Sequence, residues 1–134
     1  MKSKAILGQA EVSQIIAAAR TEAQANQWAV TIAVVDDGGH PLALERLDGA
    51  TPSSAYIATE KARTSALGRR ESKGFEDMVN GGRFAFLSAP LLTSLEGGVP
   101  VIVDGQVIGA VGVSGVKAEQ DAQVARAGAQ CLQA

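Results

Sequence analysis

The stretch Val101-Ile102-Val103-Asp104-Gly105-Gln106-Val107-Ile108 decides the fold. Two short apolar runs rich in β-branched residues flank the Asp104-Gly105 pair. An Asp-Gly pair readily adopts the two positive φ angles that a type I′ turn requires, so the stretch predicts a β-hairpin. The second arm continues to Val113, and Ser114-Gly115 ends it.

A second hairpin is predicted nearer the N-terminus. Trp28 to Val35 is an apolar run, the turn signal Asp36-Asp37-Gly38-Gly39 follows it, and His40 to Leu47 forms the return strand. We expect a further strand over Leu91 to Glu96. Short connections between successive strands favour antiparallel pairing. The sequence therefore predicts a five-stranded antiparallel sheet.

Four helices are predicted around these strands. They cover residues 11–27, 52–67, 72–79 and 118–132, where apolar and small residues recur at helical spacing. Thr51-Pro52 is a typical helix start, and Gly68 is the expected C-terminal cap. Strands that are apolar on both faces need cover on both sides. We therefore expect a single α+β domain over residues 1–134, with helices on both faces of the sheet in three layers.

Composition excludes several classes of protein. The net charge is −2 with no block of Lys or Arg, so no nucleic-acid partner is expected. No apolar stretch approaches the roughly 20 residues of a membrane span. Ala5-Ile6-Leu7 ends at Gly8, too short for the apolar part of a signal peptide, so we expect a cytoplasmic protein. No Cys/His cluster is present to hold a zinc ion, and Cys131 has no cysteine partner.

Three groups of motifs span most of the chain. The first runs from Val34-Val35-Asp36-Asp37-Gly38-Gly39-His40 into Arg46-Leu47-Asp48-Gly49-Ala50, and the second from Ser54 through Lys61-Ala62-Arg63-Thr64-Ser65-Ala66. The third joins Gly97-Gly98-Val99-Pro100-Val101 to Gly109-Ala110-Val111-Gly112-Val113-Ser114-Gly115 and Gln120-Asp121. In these motifs the sequence resembles the GlcG/HbpS family, which includes haem-degrading and PduO C-terminal-like domains.

The resemblance implies a profilin-like sheet between helices. It also implies assembly into homo-oligomers, from dimers to rings such as octamers. Family members bind small molecules, haem in some cases, and others occur in corrinoid-linked or aromatic-catabolic contexts. Haem is therefore the one candidate cofactor.

His40 is the only histidine in the chain. An imidazole can ligate haem iron or transfer protons near neutral pH. Its place after two glycines predicts an exposed turn, and a plain surface residue is the alternative. The resemblance carries no haem ligand onto a particular position, so Tyr56, Met1 and Met78 are further candidates. Tyr56 and Met78 lie in helical patterns, which favour packing in the core instead.

Arg46 and Lys61 are candidate ligand contacts. Arg46 ends a predicted strand, where its guanidinium can bind a carboxylate in bidentate fashion. The alternative is a contact with Asp48 that holds the loop. Lys61 lies on an alanine-rich helix, where we expect a binding role or a buried ion pair with Asp36 as its partner. The alternative is a side chain that lies along the apolar surface with its ammonium in water.

The loop Glu96-Gly97-Gly98 is the third candidate. Two glycines permit close approach of a ligand to the main chain, and Glu96 would act as a base or a ligand contact. A tight turn into the next strand is the alternative. Arg83 precedes the loop with Phe84-Ala85-Phe86, whose two aromatic rings would line an apolar pocket or pack in the core.

Gly109, Gly112 and Gly115 suggest a dinucleotide-binding motif. Such a motif opens a β-α-β unit, whereas these glycines lie on the second arm of a hairpin. The sequence instead favours a glycine-rich strand packed tightly against a helix.

Three functional hypotheses follow. The leading one is a protein that binds a small molecule, either haem or a related tetrapyrrole, or an aromatic or carboxylate metabolite of a catabolic pathway. Its pocket would be formed by Arg46, Lys61 and Glu96 to Gly98. The second is a small isomerase, hydratase or haem-degrading enzyme. Glu96, Lys61 and His40 are its candidate proton carriers, and the sequence does not select one of them as the catalytic residue. The third is a non-catalytic accessory protein for an operon-encoded enzyme.

Overall fold

The structure, a computed structural model, describes residues 1–133. Four α-helices, four strands and one 3-10 helix follow one another along the chain. In order these are α1 (Gln9–Ala25), β1 (Thr31–Asp36), β2 (Pro41–Arg46), α2 (Pro52–Gly68), α3 (Lys73–Asn80), the 3-10 helix (Phe84–Ser88), β3 (Gly98–Val103), β4 (Gln106–Ser114) and α4 (Ala118–Ala129).

The strands form one antiparallel sheet in the order β2-β1-β4-β3. Both predicted hairpins are present, and β1 and β4 pair at the centre of the sheet. Asp104 has a φ of 52° and Gly105 a φ of 74°, the two positive angles of the predicted turn. Strands β2 and β3 are the two edges.

The mixed α+β class is confirmed, but the prediction of five strands is wrong. Leu91 has a left-handed φ of 62°, which interrupts any strand over residues 91–96. The Thr93 N–H donates to Thr64 Oγ1 on α2, and the Leu95 carbonyl accepts a hydrogen bond from Ser72 Oγ. Side chains of the helical region thus satisfy backbone groups that a strand would pair with another strand.

Helices cover the two faces of the sheet with different side chains. We call the side covered by α1 and α4 the aliphatic face, because Ile15, Val34, Val111 and other branched residues form its core. We call the side covered by α2 the small-residue face, where Ala33, Ala58, Ala62 and Ala110 lie in the core. The sheet is therefore the middle layer of three, as predicted.

Gly68 does not end α2 in the predicted way. The residue with left-handed backbone is Arg69, which has a φ of 59°. A Cβ on Gly68 would come within 2.7 Å of the Phe75 ring. Gly68 is thus needed for close packing against α3 and not for a positive φ angle.

Candidate functional site

Lys61 lies on the small-residue face and is 4% exposed. Its Nζ donates to Asp121 Oδ2 at 3.0 Å and to the Val113 carbonyl oxygen at 3.0 Å. The other oxygen of Asp121 accepts the Val116 N–H at 3.1 Å. The expectation of a buried ion pair is confirmed, but the predicted partner Asp36 is wrong. Asp121 lies 60 residues from Lys61 in sequence.

The pair connects α2 to the end of β4 and to the first turn of α4. Burial raises the pKa of the Asp121 carboxyl, while Lys61 and the Val116 N–H act in the opposite direction. Because both side chains are enclosed, the Lys61 amine faces Asp121 and the main chain and has no open side for a substrate. The pair therefore acts as a structural clamp.

Gly97 and Gly98 make room for this clamp and for α2. A Cβ on Gly97 would lie 2.7 Å from Lys61 Nζ and 2.8 Å from the Val113 carbonyl oxygen. A Cβ on Gly98 would overlap the Lys61 carbonyl group. The space that the two missing side chains leave is filled by the helix. The predicted contact of a ligand with the main chain at Gly97 and Gly98 stays a prediction. On the side that faces α2, no open space is left for such a ligand.

The tight packing predicted for the glycine-rich strand is confirmed at Gly112. This residue is paired with Gly98 across the sheet, and a Cβ there would overlap the backbone of α2 at Ala58 and Ala62. The two glycines let α2 lie almost directly on the sheet backbone.

Buried hydroxyl groups complete this side, and sequence reasoning missed them. Ser72 Oγ accepts the Gly98 N–H at 2.8 Å and donates to the Leu95 carbonyl. Ser54 Oγ and Thr31 Oγ1 are 2.8 Å apart. For Ser54 the available signal was the recurrence of Ser and Thr among alanines on α2, whereas Ser72 and Thr31 lie outside that helix.

Glu96 is the part of the loop that stays partly open to solvent. Burial raises the pKa of its carboxyl; Lys73 opposes that shift, while Glu76, Glu119 and Asp77 add to it. The Glu96 N–H also donates a long hydrogen bond of 3.4 Å to Glu76 Oε1. Glu96 is thus a carboxyl group that holds its proton more firmly than usual, beside an acidic stretch of α3.

His40 lies at the turn between β1 and β2, and its side chain is 78% exposed. Its Nδ1 is 3.0 Å from Asp36 Oδ1 and 3.2 Å from Oδ2. The same Oδ1 accepts the N–H groups of His40 and Gly38. Burial acts to raise the pKa of Asp36, but these hydrogen bonds outweigh it and lower that pKa. The carboxylate therefore stays charged and holds the imidazole in one orientation.

Arg46 does not pair with Asp48. Its Nε donates to the Ala50 carbonyl at 3.0 Å, and this bond holds the loop after β2. The guanidinium lines a surface cleft together with Trp28. Arg46 therefore remains a candidate for an anionic ligand, at a place separate from Lys61.

Arg83 lies between α3 and the 3-10 helix, exposed to solvent. Its guanidinium stacks over the Phe86 ring at 5.0 Å, and the Phe86 ring is 5.9 Å from that of Phe75. Phe84 is 67% exposed, so it does not pack in the core.

The predicted site residues therefore fall into separate places. Lys61, Gly97 and Gly98 are in direct proximity. Arg46 ends β2, and Gly98 begins β3. Arg46 pairs with Thr31 on β1, and Thr31 pairs with Ser114 on β4, so three strand spacings of about 14 Å in total separate β2 from β3. His40 precedes the opposite end of β2, about 20 Å from Arg46. His40 and Arg46 lie at two open positions away from the Lys61 clamp, while Arg83 is also exposed and Glu96 is partly exposed.

The family described as "Haem degrading protein HbpS-like" matches residues 7–130. The chain belongs to this family. The predicted resemblance to GlcG and HbpS is thereby confirmed, and the family match spans both open positions and the Lys61 clamp.

Individual relatives agree with the family assignment. Protein GlcG of Escherichia coli strain K12 is 69% identical over 114 residues, which cover 85% of each chain. The crystal structure of Klebsiella pneumoniae protein ORFY has a TM-score of 0.89 at 34% identity, covering 100% of this chain and 97% of that one. A structure described as a PduOC:Heme complex has a TM-score of 0.86 at 27% identity, covering 96% of both chains.

Among residues 1–133, no helix combines the length and the apolar character needed to cross a membrane.

Proposed function

We propose that the protein binds a small molecule, and that this ligand is haem or a related tetrapyrrole held through His40. The observation that carries the proposal is the contact between His40 Nδ1 and Asp36. Metal-ligating histidines commonly donate their second ring N–H to a carboxylate, which fixes the tautomer and makes the ligating nitrogen more basic. With Nδ1 turned to Asp36, Nε2 is the nitrogen that would face an iron.

The surroundings of His40 fit an amphipathic planar ligand. A cleft of about 430 Å³ lies beside Asp36 and is lined by Lys4, Ala5, Ile6, Leu7, Asp36, Asp37 and Ile108. Ile6, which lines this cleft, is 87% exposed. Its side chain would contact the apolar part of the porphyrin, and the ammonium of Lys4 would meet a propionate. When bound, the haem would supply the iron for redox or oxygen chemistry.

Lys4 is available for such a contact at low cost. Its ion pair with Asp37 at 2.8 Å is exposed on both sides. Exposed pairs contribute roughly 0–1 kcal/mol, so a propionate can compete with Asp37.

Two of the other candidate haem ligands, Met78 and Tyr56, fit less well than His40. The sulfur of Met78 lies 2.9 Å from Arg70 Nη2 and is engaged there. Tyr56 on α2 is 79% exposed. Within residues 1–133, no carboxylate is hydrogen-bonded to it that would orient its hydroxyl group. These observations support His40 over both.

We also propose that the protein works as a homo-oligomer in the cytoplasm. An exposed turn covers only one side of a planar ligand, and a second copy would cover the other. A row of exposed apolar side chains on the segment 84–95 supports self-association: Phe84, Leu87, Leu91 and Leu95 are 67%, 68%, 60% and 40% exposed. Light scattering during size-exclusion chromatography tests this, and Leu87→Asp with Leu91→Asp should dissociate the oligomer.

Haem titration followed by absorbance tests the ligand. We expect a shift of the Soret band that saturates at one haem per chain, and we expect His40→Ala to abolish it. Asp36→Asn should weaken binding and alter the band, because the imidazole loses its orienting carboxylate. Tyr56→Phe is the matched control and should titrate like the wild type.

Two outcomes would contradict the proposal. A Soret shift that is unchanged in His40→Ala would remove His40 from the site. The absence of any shift at micromolar haem would remove haem as the ligand.

A further inference from the structure

A second surface cleft lies at the end of the molecule opposite to His40, between the C-terminal end of α1 and the end of β2. We call it the Trp28–Arg46 cleft. It has a volume of about 460 Å³, within the range of small-molecule sites. It is lined by Arg20, Gln24, Gln27, Trp28, Ala29, Glu45, Arg46, Leu47 and Asp48.

The main chain at Trp28 is fixed by the end of α1. The backbone N–H of Trp28 donates to the Ala23 carbonyl and the backbone N–H of Gln27 to the Gln24 carbonyl, at 2.9 and 3.1 Å. This pair of bonds is the Schellman arrangement that ends many helices. The half-buried ring also packs against the aliphatic core, so one wall of the cleft is a fixed aromatic surface.

Arg46 brings an unpaired cation to the same cleft. Its Nε is bound to the Ala50 carbonyl, which sets the direction of the guanidinium and leaves both Nη groups free of that bond. Within residues 1–133, no carboxylate lies within 4.0 Å of it. The neighbouring Arg20 differs, because its Nη1 contacts both oxygens of Glu45 at 2.6 and 2.7 Å.

Asp48 brings an anion that is also unpaired. In the described part of the chain, no Lys, Arg or His nitrogen approaches its carboxylate within 4.0 Å. The cleft thus presents one free guanidinium, one free carboxylate and an indole. A ligand that matches all three carries a carboxylate, a hydrogen-bond donor near it and a flat apolar group.

Gln27 adds a feature that stability alone does not favour. It has a φ of 59°, at a helix end where glycine is the usual residue. An L side chain is strained in this conformation, and a glycine here would relieve the strain. The strained position instead places an amide side chain in the lining of the cleft.

We propose that the Trp28–Arg46 cleft is a binding site for a small aromatic carboxylate that bears a hydroxyl or ammonium group next to the carboxylate. Arg46 binds the carboxylate through two Nη–H donors, Asp48 accepts a hydrogen bond from the neighbouring donor, and the aromatic ring stacks on Trp28. This site is separate from the proposed haem site, since the two lie at opposite ends of β2.

The only tryptophan of the chain is in this cleft, so its fluorescence reports on the site directly. Three probes share one aromatic ring and differ beside the carboxylate: phenylalanine carries an ammonium, 3-phenyllactate a hydroxyl, and 3-phenylpropionate no donor. We expect saturable changes in Trp28 emission with the first two and weaker binding of the third. Whichever of the first two binds more tightly identifies the donor.

Variants separate the roles of the charged groups. Arg46→Gln should weaken every probe by about tenfold or more, because each loses a charge-assisted contact. Asp48→Asn should weaken phenylalanine and strengthen 3-phenylpropionate, which no longer faces a second negative charge. Arg83→Gln, an exposed arginine at a distance from the cleft, is the matched control and should leave all three titrations unchanged.

Gln27→Gly gives a readout that a purely structural role would not move. We expect a higher melting temperature, because the strain is relieved, together with weaker binding of phenylalanine. Calorimetric titration confirms the affinities without relying on the indole.

Equal binding by the wild type and Arg46→Gln would overturn the proposal, as would the absence of both fluorescence change and heat with all three probes. Equal affinity of the wild type for the three probes would overturn the role of Asp48. Retained cleft binding in His40→Ala is expected, and this separates failure of the cleft from failure of the haem proposal.

Discussion

The two faces of the sheet are built in opposite ways. On the aliphatic face, β1 contributes Ile32 and Val34, β4 contributes Val111 and Val113, and the covering helices add Ile15 and Ile16. On the small-residue face the same two strands contribute Ala33, Ala110 and Gly112 instead. Large and small side chains therefore alternate over residues 32–34 of β1 and 110–113 of β4, while the branched Val35 also lies in the core of the small-residue face.

The difference shows what stabilises each face. Branched side chains fill the aliphatic face, so its stability depends on buried apolar volume. On the small-residue face, α2 lies against the sheet backbone, and polar side chains such as Lys61 and Ser72 are paired in the remaining space. The stability of this face depends on short helix–sheet distances and on paired polar groups. Adding one methyl group there should therefore lower the free energy of unfolding by more than removing one from the aliphatic face.

The largest effect is expected from Gly98→Ala or Gly112→Ala. Each new methyl group would overlap main-chain atoms of α2, which cannot move without separating the helix from the sheet. We expect a loss of about 4 kcal/mol or more and no cooperative thermal transition by circular dichroism.

Gly74→Ala is the control, because its Cβ would meet only the flexible end of the Arg70 side chain at 3.2 Å. It should change stability by less than about 1 kcal/mol. A Gly98→Ala variant that melts like the wild type would refute the role given to close helix–sheet approach.

The next largest effect is expected from Lys61→Met. This substitution leaves the Asp121 carboxylate buried without its cation, which typically costs about 3–5 kcal/mol. Urea unfolding measures the loss. The double variant Lys61→Met with Asp121→Asn should regain most of it, since the amide carries no charge and still accepts the Val116 N–H. A double variant as unstable as Lys61→Met alone would contradict the clamp.

A smaller effect is expected from Ile15→Val on the aliphatic face. The change removes one buried methylene and should cost about 0.5–1.5 kcal/mol, as neighbouring side chains partly fill the space. Ile6→Val, at an exposed position, should leave the urea midpoint unchanged. If Ile15→Val were as damaging as Gly98→Ala, the contrast between the faces would fail.

The smallest effect is expected at the exposed turn that joins β1 and β2. The pKa of Asp36 lies below its ordinary value of 3.8 because the His40 and Gly38 N–H groups outweigh its burial. The unfolded chain therefore binds this proton more readily than the folded chain does. Asp36 contributes its full stabilisation above the pKa of the unfolded chain, and this contribution is lost as the pH falls through the pKa of the folded chain. Asp36→Asn should flatten this part of the profile, measured as melting temperature against pH.

Asp37 provides the comparison at the same turn. Its pKa is lowered first of all by Lys4, through an exposed pair that salt screens. Added salt should therefore reduce the stabilisation that the Asp37 carboxylate contributes. It should leave the stabilisation by Asp36 unchanged, because that depends on hydrogen bonds from backbone N–H groups. Equal salt sensitivity of Asp36→Asn and Asp37→Asn would contradict this assignment.

Local patterns predicted much of the fold. The Asp104-Gly105 hairpin was predictable because the turn depends on two φ angles and on residues that adopt them readily. The α2 start at Pro52 was predictable for the same reason, since a proline at the first helical position acts within one turn, although the Thr51 side chain makes no capping hydrogen bond. The strand expected over residues 91–96 is absent. Its apolar residues favour β-structure, but Ser72 and Thr64 bind its backbone groups.

The candidate site was predictable only in part. Lys61 was singled out correctly as a candidate for a buried pair, but its partner comes from a helix 60 residues later, and no local pattern indicates that distance. Arg46 and Trp28 were both visible in the sequence, but the cleft between them exists only because the end of α1 meets the end of β2.

The sequence by itself determined the two hairpins and the four helices, because these depend on neighbours within a few residues. The tertiary structure alone decided which polar residues are enclosed and which remain open. Lys61 became a buried clamp because α2 approaches the sheet at its glycines, whereas His40 and Arg46 stayed accessible because they flank an edge strand. That division depends on distances between residues far apart in the chain, which only the packed fold sets.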